Sequence, residues 1–161
     1  MGAEPSPVLA ILENLPAPNL AGISAALPGW RILHGRDPAG FIDALADASV
    51  IIGWHARAAV CLPPAGRLRW VQAWGAGVNH LPLRDFAAAG VRLTSCSGIH
   101  ARPVAETAFA MILALARRLN VYLNRQRNAT WIYETELPEI HGKTRGILGI
   151  GEIGSEVARL A

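Results

Sequence analysis

Short runs rich in Val, Ile, Leu and Trp recur along the chain, separated by stretches in which apolar residues return every three or four positions. A strand buried on both faces reads as a continuous apolar run, and a helix laid over a sheet shows one apolar stripe. Their alternation specifies a parallel sheet covered by helices, the α/β class. The expected strands are Val8 to Leu12, Trp30 to His34, Val50 to Trp54, Trp70 to Trp74, Val91 to Ser95 and Gly146 to Ile150.

The intervening helices carry their own start and stop signals. Asp37 before Pro38 opens one, because an Asp side chain accepts orphan amide hydrogens and Pro at the first helical position loses no intrahelical bond. Phe41, Ile42, Leu45 and Ala48 would form its apolar face. Pro82 to Ala89, ended by Gly90, is a second short helix. The longest runs from Ala101 to Leu119, with Pro103 in its first turn and Arg117 and Arg118 in its last, where cations offset the carbonyl end of the dipole. Its apolar positions, Val104, Ala108, Ile112, Leu115 and Leu119 flanked by Ala105, Phe109, Leu113 and Ala116, span so wide an arc that burial on more than one side is expected. From Asn120 to His141 the periodicity fades, which reads as an irregular connection between two domains.

Composition narrows the partners. With 52% hydrophobic and 17% charged residues the chain has material for a packed core. The net charge is +3, but the basic residues fall in scattered pairs, Arg67/Arg69, Arg117/Arg118 and Arg125/Arg127, with no basic stripe and interleaved aromatics; nucleic acid is not an expected partner. Two cysteines, Cys61 and Cys96, have no metal-ligand spacing and are too few for a disulfide framework, so no metal site is expected and the cytoplasm is the simplest setting. The first apolar run is too short to span a bilayer, and no basic segment precedes it, which argues against secretion or a membrane partner. Gly2 with Ser6 fits a short acylation pattern by chance.

Gly149-Ile150-Gly151-Glu152-Ile153-Gly154 carries the clearest chemistry. The pattern follows an expected strand and opens an expected helix with Glu152, Ile153, Val157 and Leu160, the setting a dinucleotide loop requires. Gly149 permits the tight turn, Gly151 lets the backbone approach a pyrophosphate, and Gly154 lets helix and strand pack closely. The amides that follow, at Glu152 and Ile153, then face the anion with the helix dipole behind them. The cofactor read from this loop is NAD or NADP. The acidic residue that would distinguish them is expected ~20 residues beyond the glycines, past Ala161.

Together with that loop, Trp70-Val71-Gln72-Ala73-Trp74-Gly75-Ala76-Gly77-Val78-Asn79-His80-Leu81-Pro82, Gly90-Val91, Ser97-Gly98-Ile99-His100 and Pro103-Val104-Ala105-Glu106-Thr107 form a specific set. His141-Gly142-Lys143-Thr144-Arg145-Gly146 leads into the loop. This set resembles the D-isomer-specific 2-hydroxyacid dehydrogenases over about residues 68 to 161, while residues 1 to 67 match in rhythm alone. The resemblance implies a flavodoxin-like parallel-sheet substrate domain, residues 1–98, followed by the start of a Rossmann-type NAD(P)-binding domain, residues 99–161, with the active-site cleft between them. It implies that Ala76, Gly77 and Val78 hold the substrate carboxylate through main-chain amides. A small-residue turn with consecutive exposed amides suits an anion nest, although the residues alone fit an ordinary strand-to-helix turn equally well. Ser97 and His100 join the substrate side on position at a strand end. Thr107 is similar to the residue that reaches the nicotinamide end of the cofactor. Glu106 beside it would otherwise be a solvated partner of Arg102.

The family's reaction moves hydride between NAD(P) and a small 2-hydroxy or 2-keto acid. It needs an arginine to polarise the keto acid and a histidine with a carboxylate partner to deliver the proton. The resemblance places all three beyond the glycine loop, so the expectation is a truncated chain with no catalytic residue of its own, inactive alone; none of its five histidines is assigned to catalysis. A homodimer is expected, because the long helix and the Trp131/Tyr133 arm resemble the family's dimerisation elements. The alternative is a non-catalytic NAD-binding or dimerisation module, including a corepressor-like relative.

Overall fold

A computed structural model describes residues 6–161; Gly2 lies outside the described residues. The chain divides into two compact units, the first ending at Cys96 and the second Ser97–Ala161.

The first unit is a five-stranded parallel sheet in the order β2-β1-β3-β4-β5, the flavodoxin-like order. Its elements are β1 (Val8–Ile11), α1 (Ala17–Ala26), β2 (Arg31–His34), α2 (Ile42–Leu45), β3 (Ala48–Ile52), β4 (Trp70–Gln72), α3 (Leu83–Ala88) and β5 (Arg92–Thr94), with 3-10 turns at Pro38–Phe41 and Ala56–Cys61. Parallel register sets Ala10 opposite Ile51, Ile51 opposite Val71 and Val71 opposite Leu93. These residues share a face under Leu45, Ala58, Cys61, Leu81 and Phe86, and Ala10, Ile51 and Val71 are fully buried. Trp54 closes one end of this core, edge-on to Phe86 at 4.7 Å and 87°. All four residues of β1 are buried, as its unbroken apolar run requires.

Strand order reverses between β1 and β3, where an open α/β sheet leaves a crevice beyond the strands' carboxyl ends. At this point Gly53 adopts φ +81°, and a Cβ there would lie 3.3 Å from the Leu12 carbonyl oxygen. This glycine ends the third expected strand at Ile52, two residues earlier than its apolar run suggested.

Asp37 caps as expected, accepting from the Ala39 amide at 3.0 Å. The helix it opens is only a 3-10 turn and one α-turn. Ala48, expected on its apolar face, instead begins β3 opposite Val8, because sheet pairing satisfies its backbone as well as filling the core.

The second unit contains α4 (Ala101–Ala116), α5 (Leu119–Arg127) and α6 (Glu152–Leu160), with α4 packed along α6. Three expectations are corrected here. The single helix from Ala101 to Leu119 is two, because Arg118 takes a left-handed conformation (φ 51°) that ends one run and starts the next. The first part of the connection expected to be irregular, Asn120 to Arg127, is therefore α5. The strand expected at Gly146 to Ile150 does not form: no described strand pairs with its N–H and C=O groups, and Leu148 is fully exposed. The wide apolar arc of α4 is not buried on two sides. Ala105 alone is buried, and Leu115 is 71% exposed.

Candidate cofactor loop and substrate turn

In the second unit the three glycines of the loop do different things. Gly149 has φ +92°, a left-handed turn that a side chain would strain. A Cβ at Gly154 would overlap the carbonyl oxygen of Gly149, so the first turn of α6 sits directly against the incoming chain. Gly151 has neither reason to be glycine: its φ is −90°, and a Cβ would meet nothing within 4 Å. The space beside it is open.

Gly151 is the N-cap of α6, with extended backbone and no side-chain cap. The Ser155 amide closes the first helical bond to Gly151 O at 2.8 Å, which leaves the amides before it without intrahelical acceptors. Open donors, a helix dipole and room for close approach suit a pyrophosphate, and these residues fit the cofactor on geometry alone. Glu152, in the first turn, sets its carboxylate 3.3 Å from where a Cβ of Gly98 would stand; Gly98 has φ +87°. The Glu152 side chain thus lies beside Gly98, a proximity that no spacing in the sequence indicates.

Ser97 and His100 are exposed, and His100 caps α4 through its backbone only. Thr107 is exposed, and its hydroxyl donates to Pro103 O at 2.7 Å, leaving its lone pairs available. Arg102 and Glu106 make no ion pair with each other among the described residues. Each faces α6 instead. Glu156 is held below the usual carboxylate range, chiefly by its hydrogen bond from Arg159, with Arg102 adding a smaller effect. Arg159 is raised first by Glu156 and more weakly by Glu106.

Arg118, expected to offset the α4 dipole, instead reaches Glu134 Oε2 at 3.0 Å, while Arg125 holds Oε1 at 2.7 Å and Tyr122 donates to Oε2 at 3.3 Å. The Arg125 guanidinium, with the Arg118 charge and the Tyr122 hydroxyl adding to it, holds the Glu134 carboxyl below its usual range, against an opposing effect of burial. From the N-cap of α5, Arg118, Tyr122 and Arg125 stand at i, i+4 and i+7, but the sequence reading missed this clasp because Glu134 lies beyond the helix, where no period points to it.

In the first unit the turn after β4 runs from buried Ala73 through exposed Trp74 to Gly75, Ala76, Gly77 and Val78. Ala76 and Gly77 are exposed, while Val78 is half-buried against the core and its carbonyl accepts from the Leu81 amide at 3.0 Å. The Cys96 amide pins Gly75 O at 3.1 Å. A Cβ at Gly75 or Gly77 would meet nothing within 4 Å, and neither has a left-handed φ. As at Gly151, the protein's own packing does not account for these glycines.

Residues 109–161 match the family model described as D-isomer specific 2-hydroxyacid dehydrogenase, NAD binding domain. Over that stretch the chain is similar to the D-isomer specific 2-hydroxyacid dehydrogenases. It is 29% identical over 102 residues to a glyoxylate reductase from Korarchaeum cryptofilum, covering 60% of this chain and 31% of that protein. It is 28% identical over 156 residues to D-3-phosphoglycerate dehydrogenase from Mycobacterium tuberculosis, covering 95% and 29%. A solved family member from Aeromonas salmonicida superimposes with a TM-score of 0.75 at 29% identity, covering 96% of this chain and 50% of that one. The chain thus spans about a third of the length of these curated relatives. The cofactor that goes with the matched domain is NAD or NADP.

Proposed function

We propose that the chain supplies the substrate domain and the pyrophosphate loop of an oxidoreductase that moves hydride between NAD(P) and a small 2-hydroxy or 2-keto acid. Residues 1–98 take the acid, and residues 99–161 link to and begin the cofactor domain. The observation that carries this reading is the placing of Gly75, Gly77 and Gly151, three of the six described glycines that neither packing nor backbone conformation requires, in the exposed turn after β4 and at the open start of α6. A ligand that approaches the main chain closely accounts for a glycine at each of these places. The open amides at Gly151, Glu152 and Ile153 hold the pyrophosphate, with Gly149 and Gly154 shaping the loop. Ala76, Gly77 and Val78 hold the acid's carboxylate, Ser97 and His100 extend that side, and Thr107 faces the nicotinamide. The nicotinamide, when bound, supplies or accepts the hydride.

No proton donor is proposed among these residues. The rings of His34 and His55 accept from the Leu15 and Arg57 amides, both at 3.1 Å. The other histidines have no carboxylate partner among the described residues. The chain alone is therefore proposed to bind and not to turn over. Mixing it with NADH or NADPH and glyoxylate or hydroxypyruvate should give no oxidation above a blank, while NAD(H) titration should give saturable binding that Gly151→Val weakens. Turnover abolished by replacing one histidine would overturn the assignment, and an unchanged titration would remove Gly151 from the site.

The reading as a dimerisation module is favoured by a separate observation. Trp131 is 91% exposed and Tyr133 is 79% exposed, beside the exposed apolar Leu119 and Leu123 of α5. We propose that a second copy covers them, which is compatible with the dehydrogenase reading. Two free cysteines fit a cytoplasmic setting, and no described helix is long and apolar enough to cross a membrane.

A further inference from the structure

The amino-terminal edge of the sheet collects charge that the proposed function does not use. Strand register places it there. Arg31 begins β2 with its amide on Pro7 O, the Arg69 amide bonds Ser49 O just before β4, and Arg92 begins β5 with its amide on Arg69 O, each at 2.9 Å. Arg67 precedes them in the same loop. These four arginines are exposed and make no ion pair among the described residues, and Asp47 is the one acidic residue lining the grooves beside them. Helix C-termini also point to this edge, because each helix returns antiparallel to its strand. A C-terminus carries roughly half a negative charge, and those of α1, α2 and α3 together offset only part of the surplus.

The same edge is concave. A groove of about 690 Å³ is lined by Trp30, Asp47, Ser49, Arg67 and Arg69 among others. It shares Ser6, Trp30, Asp47 and Arg67 with a neighbouring groove of about 530 Å³ that Arg31 also lines. Gly29, at φ +82°, turns the chain out of α1 and sets Trp30 half-buried between the two. A groove of this size takes a drug-sized molecule. Its chemistry is a flat aromatic platform, guanidinium forks suited to phosphate, and one carboxylate that can only accept hydrogen bonds. A phosphate explains the arginines and a base explains the Trp. Ribose hydroxyls explain an acidic residue amid positive charge.

We propose that this edge binds a nucleoside monophosphate, its base on Trp30, its phosphate between Arg67 and Arg69, and its ribose hydroxyls donating to Asp47. The site lies at the opposite end of the strands from the Gly75–Val78 turn, so it is not the carboxylate nest proposed above.

Titrating the 15N-labelled chain with AMP, ribose 5-phosphate and inorganic phosphate tests this, because the readout reports position. AMP should produce saturable shifts of the Trp30 indole N–H and the Arg67 and Arg69 Nε–H groups. Ribose 5-phosphate, lacking the base, should bind there about tenfold more weakly. Trp30→Leu should bring AMP down to the affinity of ribose 5-phosphate without changing the latter. Arg67→Glu with Arg69→Glu should weaken both ligands at least about tenfold; both side chains are exposed, and preserved spectral dispersion will show the fold intact. Shifts confined to Gly149–Gly154 would mean that AMP is using the cofactor loop and would overturn the proposal. Equal affinity for AMP and ribose 5-phosphate, or indifference to the double charge reversal, would overturn it too.

Discussion

Both units carry apolar periodicity, and they use it differently. Between Val8 and Leu93 the apolar residues face one another across a sheet and its helices, and the buried core lies there almost entirely. Between Ser97 and Ala161 a helix with a wide apolar arc buries only Ala105, and its neighbours are held by polar contacts: the Glu134 clasp, the Glu156–Arg159 pair and the Arg145 guanidinium 4.3 Å over the Phe109 ring. Periodicity states which face wants a partner. It does not state whether the partner lies within the same stretch of chain. Burial of a large apolar side chain stabilises by ~1.5 to 3 kcal/mol, whereas an exposed ion pair contributes ~0 to 1 kcal/mol. The first unit should therefore be the more stable.

The largest test of that contrast is a matched pair of truncations. Ile51→Ala empties a fully buried position under β3 and should cost about 2 to 5 kcal/mol. Leu115→Ala removes a side chain that is 71% exposed and should change stability by less than ~0.5 kcal/mol. Urea unfolding followed by hydrogen exchange resolves the two units. Similar losses for both variants would mean that the α4 face is covered in solution and that the difference between the units is not intrinsic.

A second test moves from stability to the loop. Gly154→Ala places a methyl group against the Gly149 carbonyl, so α6 must shift and the amides at its start must turn with it. Cofactor affinity should fall at least about tenfold, as expected for loss of one or more charge-assisted hydrogen bonds, while the first unit's unfolding midpoint stays where it was. Gly142→Ala, outside the loop but at φ +67°, is the control for backbone strain alone. If both substitutions weaken NADH binding equally, the close approach of Gly154 is not what shapes the loop.

What was legible in the sequence follows the same division. The first five strands and the Asp37 cap could be read because each is specified by residues adjacent in sequence. The strand expected at Gly146 to Ile150 could not, since pairing depends on a neighbour that no local pattern reports. Arg118 was read as a helix-end cation when it is the left-handed hinge between two helices; an unbroken apolar period hides a change of direction that a single backbone angle makes. In the glycine loop the turn at Gly149 and the close packing at Gly154 were legible, because each follows from the local glycine spacing. The Glu134 clasp and the basic edge assembled by strand register were not, because each joins segments that no local period connects.

A third, smaller effect concerns how the second unit is held. The folded-state value of Glu134 is lowered, so its contribution is present above the ordinary carboxylate range and is lost as pH falls from that range through the lowered value. Acidification should release the 130–138 segment from Arg118, Arg125 and Tyr122 before the first unit unfolds. Glu134→Gln should reproduce that release at neutral pH, and salt should imitate it weakly. Amide exchange of Trp131 to Leu137 is the measurement. Protection that is indifferent to pH, salt and substitution would show that apolar contacts, not the clasp, hold the segment.

The finest contrast lies within the first unit, between its two thiols. Cys61 is fully buried, donates to the Leu45 carbonyl at 2.9 Å and has its pKa pushed up to about 11 by burial. Cys96 is half-exposed at the end of the sheet, 3.4 Å from the Gln72 amide nitrogen. Because the thiolate is the reactive form, a disulfide reagent at pH 8 should titrate Cys96 promptly and reach Cys61 only at the rate of unfolding. The sign of the pH effect follows from the raised value. Folding favours the protonated Cys61, so its contribution is complete below the ordinary thiol pKa of 9.0 and is lost as pH rises from there through about 11. Cys61→Ala should flatten that alkaline decline while lowering stability at neutral pH, through the cavity it leaves. Prompt reaction of both thiols in the folded chain would mean that the 3-10 segment Ala56–Cys61 opens on its own, and the first unit would then be less uniformly held than its buried core implies.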